Sequence, residues 1–376
     1  MAFVPEANGR AWGGWLNRLI ARPSFQEFAD RVPGVRRLAR RDGAEIFDIV
    51  QGFVRSQVLY ALVSLDIPER LMRGPATAEL LALSVGFPTD RMEILLQAGA
   101  GLGLLKRKRD GRFKLSRKGA ALVGVPGLRQ MILHHGAFYR DMEDPVALLK
   151  GEAQTELAGF WPYVFGATGE VDPEVTRTYS DLMADSQRMV ARDTLASVRL
   201  DDVEHLADIG GGSGAFLAEV AAAYPELKLT LFDLPPVMPS ARERLAARGL
   251  EGRIDLVGGS FRDDPLPEGV DAISLIRVLY DHDDTSVAAL LAKVFDALPP
   301  GGRLLISEPM SGGDAPDAIT DVYFAFYTLA MRTGRTRSAA TIGKLCEQAG
   351  FAEVKAPRPA RSYVTSVVTA SKPSST

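Results

Sequence analysis

LADIGGGSGAFLAEV, residues 206–220, sets four glycines within five positions between an apolar run and an apolar helical stretch. Glycines at a strand-to-helix turn remove side chains, so that a ligand can touch backbone at the carboxyl end of the strand. The spacing Gly210-x-Gly212-x-x-Ala215 also satisfies a dinucleotide fingerprint, so this motif alone does not name the ligand. Downstream, the short apolar runs LKLTLFD, RIDLV, DAISLI and RLLIS alternate with helical stretches such as SVAALLAKVFDAL. That alternation predicts an α/β fold, a doubly wound parallel sheet with helices on both faces. GFAEVKA and RSYVTSVVTAS follow with no long helix between them and predict an antiparallel edge.

Upstream the texture differs. Residues 1–43 form a basic, aromatic segment: RAWGGWLNRLIARPSFQEFADRVPGVRRLARR carries eight arginines, and residues 1–41 hold only three acids and two of the three tryptophans. From Ala44 to Leu65 the apolar residues Ile46, Phe47, Ile49, Val50, Phe53, Val54, Val58 and Leu62 repeat with a 3.6-residue period, which predicts one helix with a broad buried stripe. Helix, turn, helix and a hairpin turning at Asp110-Gly111 follow, so residues 44–126 read as a winged-helix domain. Residues 127–200 read as a mostly helical segment, and 201–376 as the ligand-binding domain with the glycine turn.

The totals narrow the classes. A 376-residue chain has ample length for more than one domain. A net charge of −3 gives no global attraction to nucleic acid. The single cysteine, Cys346, excludes an internal disulfide framework and suits a reducing cytoplasm. No signal-peptide pattern and no uncharged apolar run of ~18 residues is present, so a cytoplasmic protein is expected. Four histidines, without metal-ligand spacing, give no reason to expect a metal. The basic run KRKRDGRFKLSRK, 106–118, falls on the wing, where a DNA-binding regulator would contact phosphate.

The ligand is narrowed by acids. Asp233 ends the second strand 23 residues after Gly210, where a carboxylate can accept both hydroxyls of a ribose. Asp208, two residues before Gly210, would repel a pyrophosphate and attract an ammonium and a sulfonium. S-adenosylmethionine has both cations and no phosphate. A dinucleotide oxidoreductase and a glycine turn that serves packing alone are the competing readings; no hydride-transfer constellation supports the first.

With LADIGGGSGAF, LTLFDLPPV, GGSFRDDPLP, RVLYDHDD and LPPGGRLLISEPM together, the chain resembles the class I methyltransferase domain of small-molecule O-methyltransferases, from about residue 44 to its end. Within that family, RVLYDHDD and the leader WLNRLIARPSFQ look most like carotenoid O-methyltransferases of the demethylspheroidene type. The resemblance implies S-adenosylmethionine as cofactor and a homodimer whose N-terminal domains swap helices and lend residues to the partner's substrate pocket. It places Gly210 and Gly212 at the methionine part of the cofactor, Asp233 at the ribose and Leu234 beside the adenine. Ser260 and Phe261 fall in the adenine loop, where the family often has an acid before the apolar residue, and Arg277 lies along the cofactor. Met183 matches a substrate-lining methionine. Phe138 and Tyr139 are further substrate candidates in an aromatic-rich stretch that core packing also explains.

The resemblance breaks at the base. The family's histidine in His-Asp-Trp is replaced here by Tyr280 in Tyr280-Asp281-His282, and the histidine stands where tryptophan lies near the adenine. Of the two acids that position the family's base, one matches Glu308 and the other falls at Thr336, where it is lost. A tyrosine with a pKa near ~10 is a poor base at neutral pH. Tyr280 therefore suits an acceptor that needs orienting rather than early deprotonation, such as an aliphatic hydroxyl on an acyclic carotenoid. A phenolic or polyketide acceptor is the alternative. His134 and His135 are candidates to collect the proton. Adjacent helical residues point about 100° apart, so one of the two is expected to face the pocket; packing at the surface is their other reading. The Arg- and Trp-rich leader is read either as resting on an anionic membrane surface or as packing in the dimer.

Overall fold

The computed structural model describes residues 12–160, 187–332 and 334–374, in two compact units that divide between Ala120 and Ala121. Met183 and the aromatic stretch around Trp161 lie outside the described residues.

The first unit opens with three helices, α1 (Trp12–Ile20), α2 (Pro23–Arg31) and α3 (Pro33–Val50). Proline in the first turn of α2 and of α3 fits a helix start, where no backbone donor is needed. Helices α4 (Gly52–Ser64), α5 (Ile67–Met72), α6 (Ala78–Val85) and α7 (Thr89–Gly101) then pack Leu62, Ile67, Leu81, Met92 and Leu96 together. Strands β1 (Leu105–Arg107) and β2 (Phe113–Leu115) form the expected hairpin, with Leu105 opposite Leu115. On its turn Asp110 pairs with Lys108 and Arg112, which neutralises part of the basic run.

The single helix expected over Ala44–Leu65 is two, bent by 45° at Gln51. Gly52 supplies no side chain and a weak helix propensity at the break. Nor is the whole stripe buried within the chain. Leu62 is in the core, but Ile46, Phe47, Ile49, Val50, Phe53 and Val54 are exposed, and α3 buries no residue. A period shows that a face is apolar; it does not show which molecule covers it.

The second unit follows α8 (Arg117–Gly124), which carries the chain across the division. It begins with α9 (Leu128–Asp141) and α10 (Pro145–Lys150) and resumes in α11, described over 187–197. Its sheet holds β3 (His205–Ile209), β4 (Lys228–Asp233), β5 (Asp255–Gly258), β6 (Ala272–Ile276), β7 (Arg303–Glu308), β8 (Ala352–Lys355) and β9 (Ser366–Ser371). The order is β5-β4-β3-β6-β7-β9-β8. The first five strands are parallel, and β9 runs antiparallel to both β7 and β8, so the expected antiparallel edge is present. Along β7, Leu304 and Ile306 enter one core and Leu305 the other, as the period of two requires for a sheet covered on both faces. Helices α14 (Asp284–Ala297) and α16 (Ala339–Gln348) cover the first face, while α12 (Ala215–Ala223) and α13 (Met238–Ala247) cover the second.

The order reverses between β3 and β6, which opens a crevice at their carboxyl ends, directly at the glycine turn. Leu231 is fully buried beneath that turn, with its side chain 3.1 Å from where a Cβ on Gly211 or on Gly214 would stand. Leu231→Ala should cost ~2–5 kcal/mol through the cavity it leaves. Urea unfolding is expected to show a lower midpoint with an unchanged slope; an unchanged midpoint would show that the turn does not rest on this side chain.

Candidate active site

Gly210 follows β3 with φ +70°, and a Cβ there would stand 2.9 Å from Val278. At Gly211 a Cβ would stand 2.8 Å from Asp208 Oδ2, so the turn lies directly on that carboxylate. Gly212, at φ +57°, meets nothing within 4 Å. The backbone is therefore bare on its open side and closely packed below.

Asp208 is 1% exposed. Its Oδ1 accepts from Ser274 Oγ at 2.6 Å, while Oδ2 is buried with no hydrogen-bond partner among the described residues. Burial pushes the carboxyl up to about 7, the Ser274 bond holds it down, and the nearby Asp233 charge adds to the rise. Leaving such a group unsatisfied costs ~1–3 kcal/mol or more. Asp233, half-buried at the end of β4, accepts from Gly212 N through Oδ2 and from Leu234 N through Oδ1, both at 2.7 Å. Each of its oxygens keeps a second lone pair for a ribose hydroxyl. An orphaned buried carboxylate oxygen beside the bare turn, with a second carboxylate next to it, fits a ligand bearing an ammonium and a sulfonium. It does not fit a pyrophosphate.

After β5, Ser260 Oγ donates to Asp263 Oδ2 at 2.9 Å and its backbone N–H donates to Asp264 Oδ2 at 2.8 Å. Ser260 thus has an acid bonded to it, Asp263, three residues on. Phe261 meets the His282 ring edge-on at 5.2 Å. Burial holds His282 down to about 4, so its ring is a neutral wall of this loop.

After β6 the chain turns sharply. Arg277 has φ +58°, a left-handed conformation that costs a non-glycine residue ~1–2 kcal/mol, held here by its N–H bond to Ser307 O. Its guanidinium lies 5.9 Å from the Tyr280 ring centre. Tyr280 is 5% exposed, in an apolar cluster with Phe138, Leu157, Tyr327 and Met331. Burial and the Asp281 charge push its phenol above the ordinary range. Glu308, fully buried, accepts from the Tyr280 backbone N–H at 3.2 Å, and burial pushes its carboxyl up to about 7. Glu308 thus holds the turn that presents Tyr280.

Arg337, which the sequence does not flag, clamps the same turn. It is 3% exposed and donates to Leu279 O, His282 O and Asp284 Oδ1. Gly334 lies so close that a Cβ on it would stand 2.3 Å from Tyr280 O. Thr336 pairs with Ser311 instead.

On α9, both histidines engage the same partner segment. His134 Nε2 lies 2.8 Å from Tyr327 Oη, and His135 Nε2 lies 2.8 Å from Tyr323 Oη. The 100° between neighbours is absorbed because Tyr323 and Tyr327 stand one helical turn apart. Phe138 packs edge-on against both tyrosines, at 6.0 and 5.4 Å, and is buried; Tyr139 is half-buried beside His135.

Strand order, glycine turn and acids define a class I methyltransferase. The chain belongs to the O-methyltransferase family: the family's O-methyltransferase domain matches residues 139–352, and its dimerisation domain matches residues 47–124. It is 56% identical to demethylspheroidene O-methyltransferase of Cereibacter sphaeroides, over 99% of each chain, and 50% identical to that of Rhodobacter capsulatus, over 98% of this chain and 92% of the other. Among solved structures, mitomycin 7-O-methyltransferase superposes with a TM-score of 0.75 at 27% identity, covering 89% of this chain and 99% of that one. The chain is an O-methyltransferase enzyme. Its exposed stripe lies mostly inside the dimerisation domain, so a second copy is the partner that such an apolar face calls for.

Because the Asp208 carboxyl is raised to about 7, a cationic ligand binds its ionised form better. Below that value binding must expel a proton, and S-adenosylmethionine affinity should fall toward ~10-fold per pH unit. Calorimetry between pH 5.5 and 8.5 checks this, and a flat affinity would contradict it. Asp233→Ala should weaken the same binding by ~1.5–3 kcal/mol.

Proposed function

We propose that the enzyme transfers a methyl group from S-adenosyl-L-methionine to a hydroxyl on the acyclic end of a hydrophobic carotenoid; two relatives that share half or more of its sequence are named demethylspheroidene O-methyltransferase. The observation that carries the acceptor class is Tyr280. Its phenol stays protonated, buried among apolar groups, at the position where the family keeps a histidine base. A phenolic acceptor gains from a base that removes its proton early. An aliphatic hydroxyl does not, because its oxygen attacks while still protonated.

The bound cofactor supplies an electrophilic methyl. The chain's task is then to hold the acceptor oxygen in line with it, an effect worth up to ~7–11 kcal/mol in well-oriented systems. In this reading Asp208, Gly210, Gly212 and Asp233 hold the cofactor, while Leu234, Ser260 and Phe261 frame its adenine. Arg277 lies along it, Tyr280 orients the acceptor hydroxyl, Glu308 fixes the Tyr280 turn, and His134 or His135 collects the proton. Met183, Phe138 and Tyr139 are the substrate contacts proposed. The domain reading is 1–43 leader, 44–126 dimerisation, 127–200 substrate-lining and 201–376 catalytic.

We also propose a cytoplasmic enzyme whose leader rests on an anionic membrane surface. Among the described residues no single helix is long and apolar enough to cross a membrane. Trp15, Phe28 and Leu38 are exposed on arginine-rich helices, and the family's dimerisation domain begins only at residue 47, beyond this segment. Removing residues 1–41 should reduce cosedimentation with anionic vesicles, and salt should mimic the deletion. Equal cosedimentation of both forms would return the leader to dimer packing.

Tyr280→Phe separates orienting from base catalysis. Loss of one orienting hydrogen bond should lower kcat ~10- to 100-fold. Near-complete inactivation, with a wild-type rate climbing toward pH ~10, would instead make tyrosinate the base.

A further inference from the structure

The paired histidines of α9 face Thr320–Phe324, a π-helical turn that runs into α15 (Ala325–Met331). A π turn inserts one residue into a helix and is frequent at functional sites. Here it carries Tyr323 opposite His135, and Tyr327 follows opposite His134.

The direction of one of these bonds is fixed. His135 Nδ1 lies 2.5 Å from Met131 O, and a carbonyl only accepts, so Nδ1 carries the ring proton. Nε2 of the neutral ring is then an acceptor, and Tyr323 must donate its O–H to it. The Tyr323 oxygen is left with its lone pairs, ready to accept from another hydroxyl. Burial holds His135 below the ordinary histidine range, against the Met131 bond that raises it, so the ring rests neutral.

The pair borders the cluster that holds Tyr280. Tyr323 and Tyr327 are within electrostatic reach of the buried Arg277, as are Tyr280 and Asp281. Arg277 leads directly into Val278, which meets Gly210 of the glycine turn. Tyr323 also packs on the cluster that contains Tyr280.

We propose that Tyr323 and His135 form a further catalytic pair, in which the acceptor's hydroxyl proton passes to Tyr323 Oη as the Tyr323 proton passes to His135 Nε2. The inference rests on the proposed alkyl-hydroxyl acceptor. The acceptor oxygen forms its bond to the methyl carbon with a lone pair, and the carbon–sulfur pair remains on sulfur, cancelling the sulfonium charge. The displaced proton ends as the second N–H of His135, whose half-buried ring can pass it to water. A weak base suffices, because an oxygen that has just gained a methyl while keeping its proton is a far stronger acid than an imidazolium. Tyr280 then orients the hydroxyl and Tyr323 drains it.

The test compares wild type, Tyr323→Phe, His135→Gln and the double variant, with S-adenosylmethionine and a hydroxylated acyclic carotenoid in detergent micelles. Each single change should lower kcat ~10- to 100-fold with KM for S-adenosylmethionine nearly unchanged, and the double variant should fall no further, because the two act as one unit. Glutamine still accepts the Tyr323 hydrogen bond but takes no proton, so a packing role predicts activity in His135→Gln. An undiminished kcat in either single variant, losses that multiply in the double, or a loss seen only as raised KM with a lower Tm would overturn the pair. The same four proteins are run on a simple phenol. If wild type methylates the phenol alone, the acceptor reading fails, and the pair is judged on the phenol by the same criteria.

Discussion

One carboxylate sets the terms for the rest of the site. Asp208 lies next to the end of β3, keeps one oxygen on Ser274 and leaves the other buried against Gly211. A protein that folds around an unpaired acid is incomplete without a cation. The glycines matter because they let that cation approach: side chains on Gly210 or Gly211 would clash with Val278 or with the carboxylate itself. Asp233 adds a second acid whose backbone bonds hold it in place. Cofactor selection is therefore electrostatic first and steric second.

The reaction end obeys a different constraint. Between β6 and β7 the chain makes a strained turn at Arg277 and is gripped by Glu308 and Arg337. Such rigidity suits a reaction governed by alignment. Nothing in that grip makes Tyr280 a base; burial makes it less acidic. The tyrosine–histidine pairs of α9 and the π turn join the apolar cluster that holds Tyr280.

Much of this was legible in the sequence because it rests on local chemistry. The glycine turn, the two acids and the alternation of apolar runs each follow from spacing, and each lies where spacing puts it. The hairpin at Asp110-Gly111 and the antiparallel edge are of the same kind. What escaped depends on distant chain segments meeting. Ser274 under Asp208, Arg337 across the Tyr280 turn and Tyr323 opposite His135 are separated from their partners by 66, 58 and 188 residues. The helix break at Gln51 and the uncovered stripe on both sides of it were missed for another reason. Periodicity reports a face, while its cover belongs to a second molecule.

The central claim is that buried negative charge beneath the glycine turn selects a cation-bearing donor. The most direct measurement is a calorimetric comparison of S-adenosylhomocysteine, 5′-methylthioadenosine and NADH at pH 8, where Asp208 is ionised. The account predicts binding of S-adenosylhomocysteine, a loss of ~100-fold or more for methylthioadenosine, which lacks the ammonium, and no detectable NADH binding. Methylthioadenosine binding as tightly as S-adenosylhomocysteine, or NADH competing with either, would contradict it.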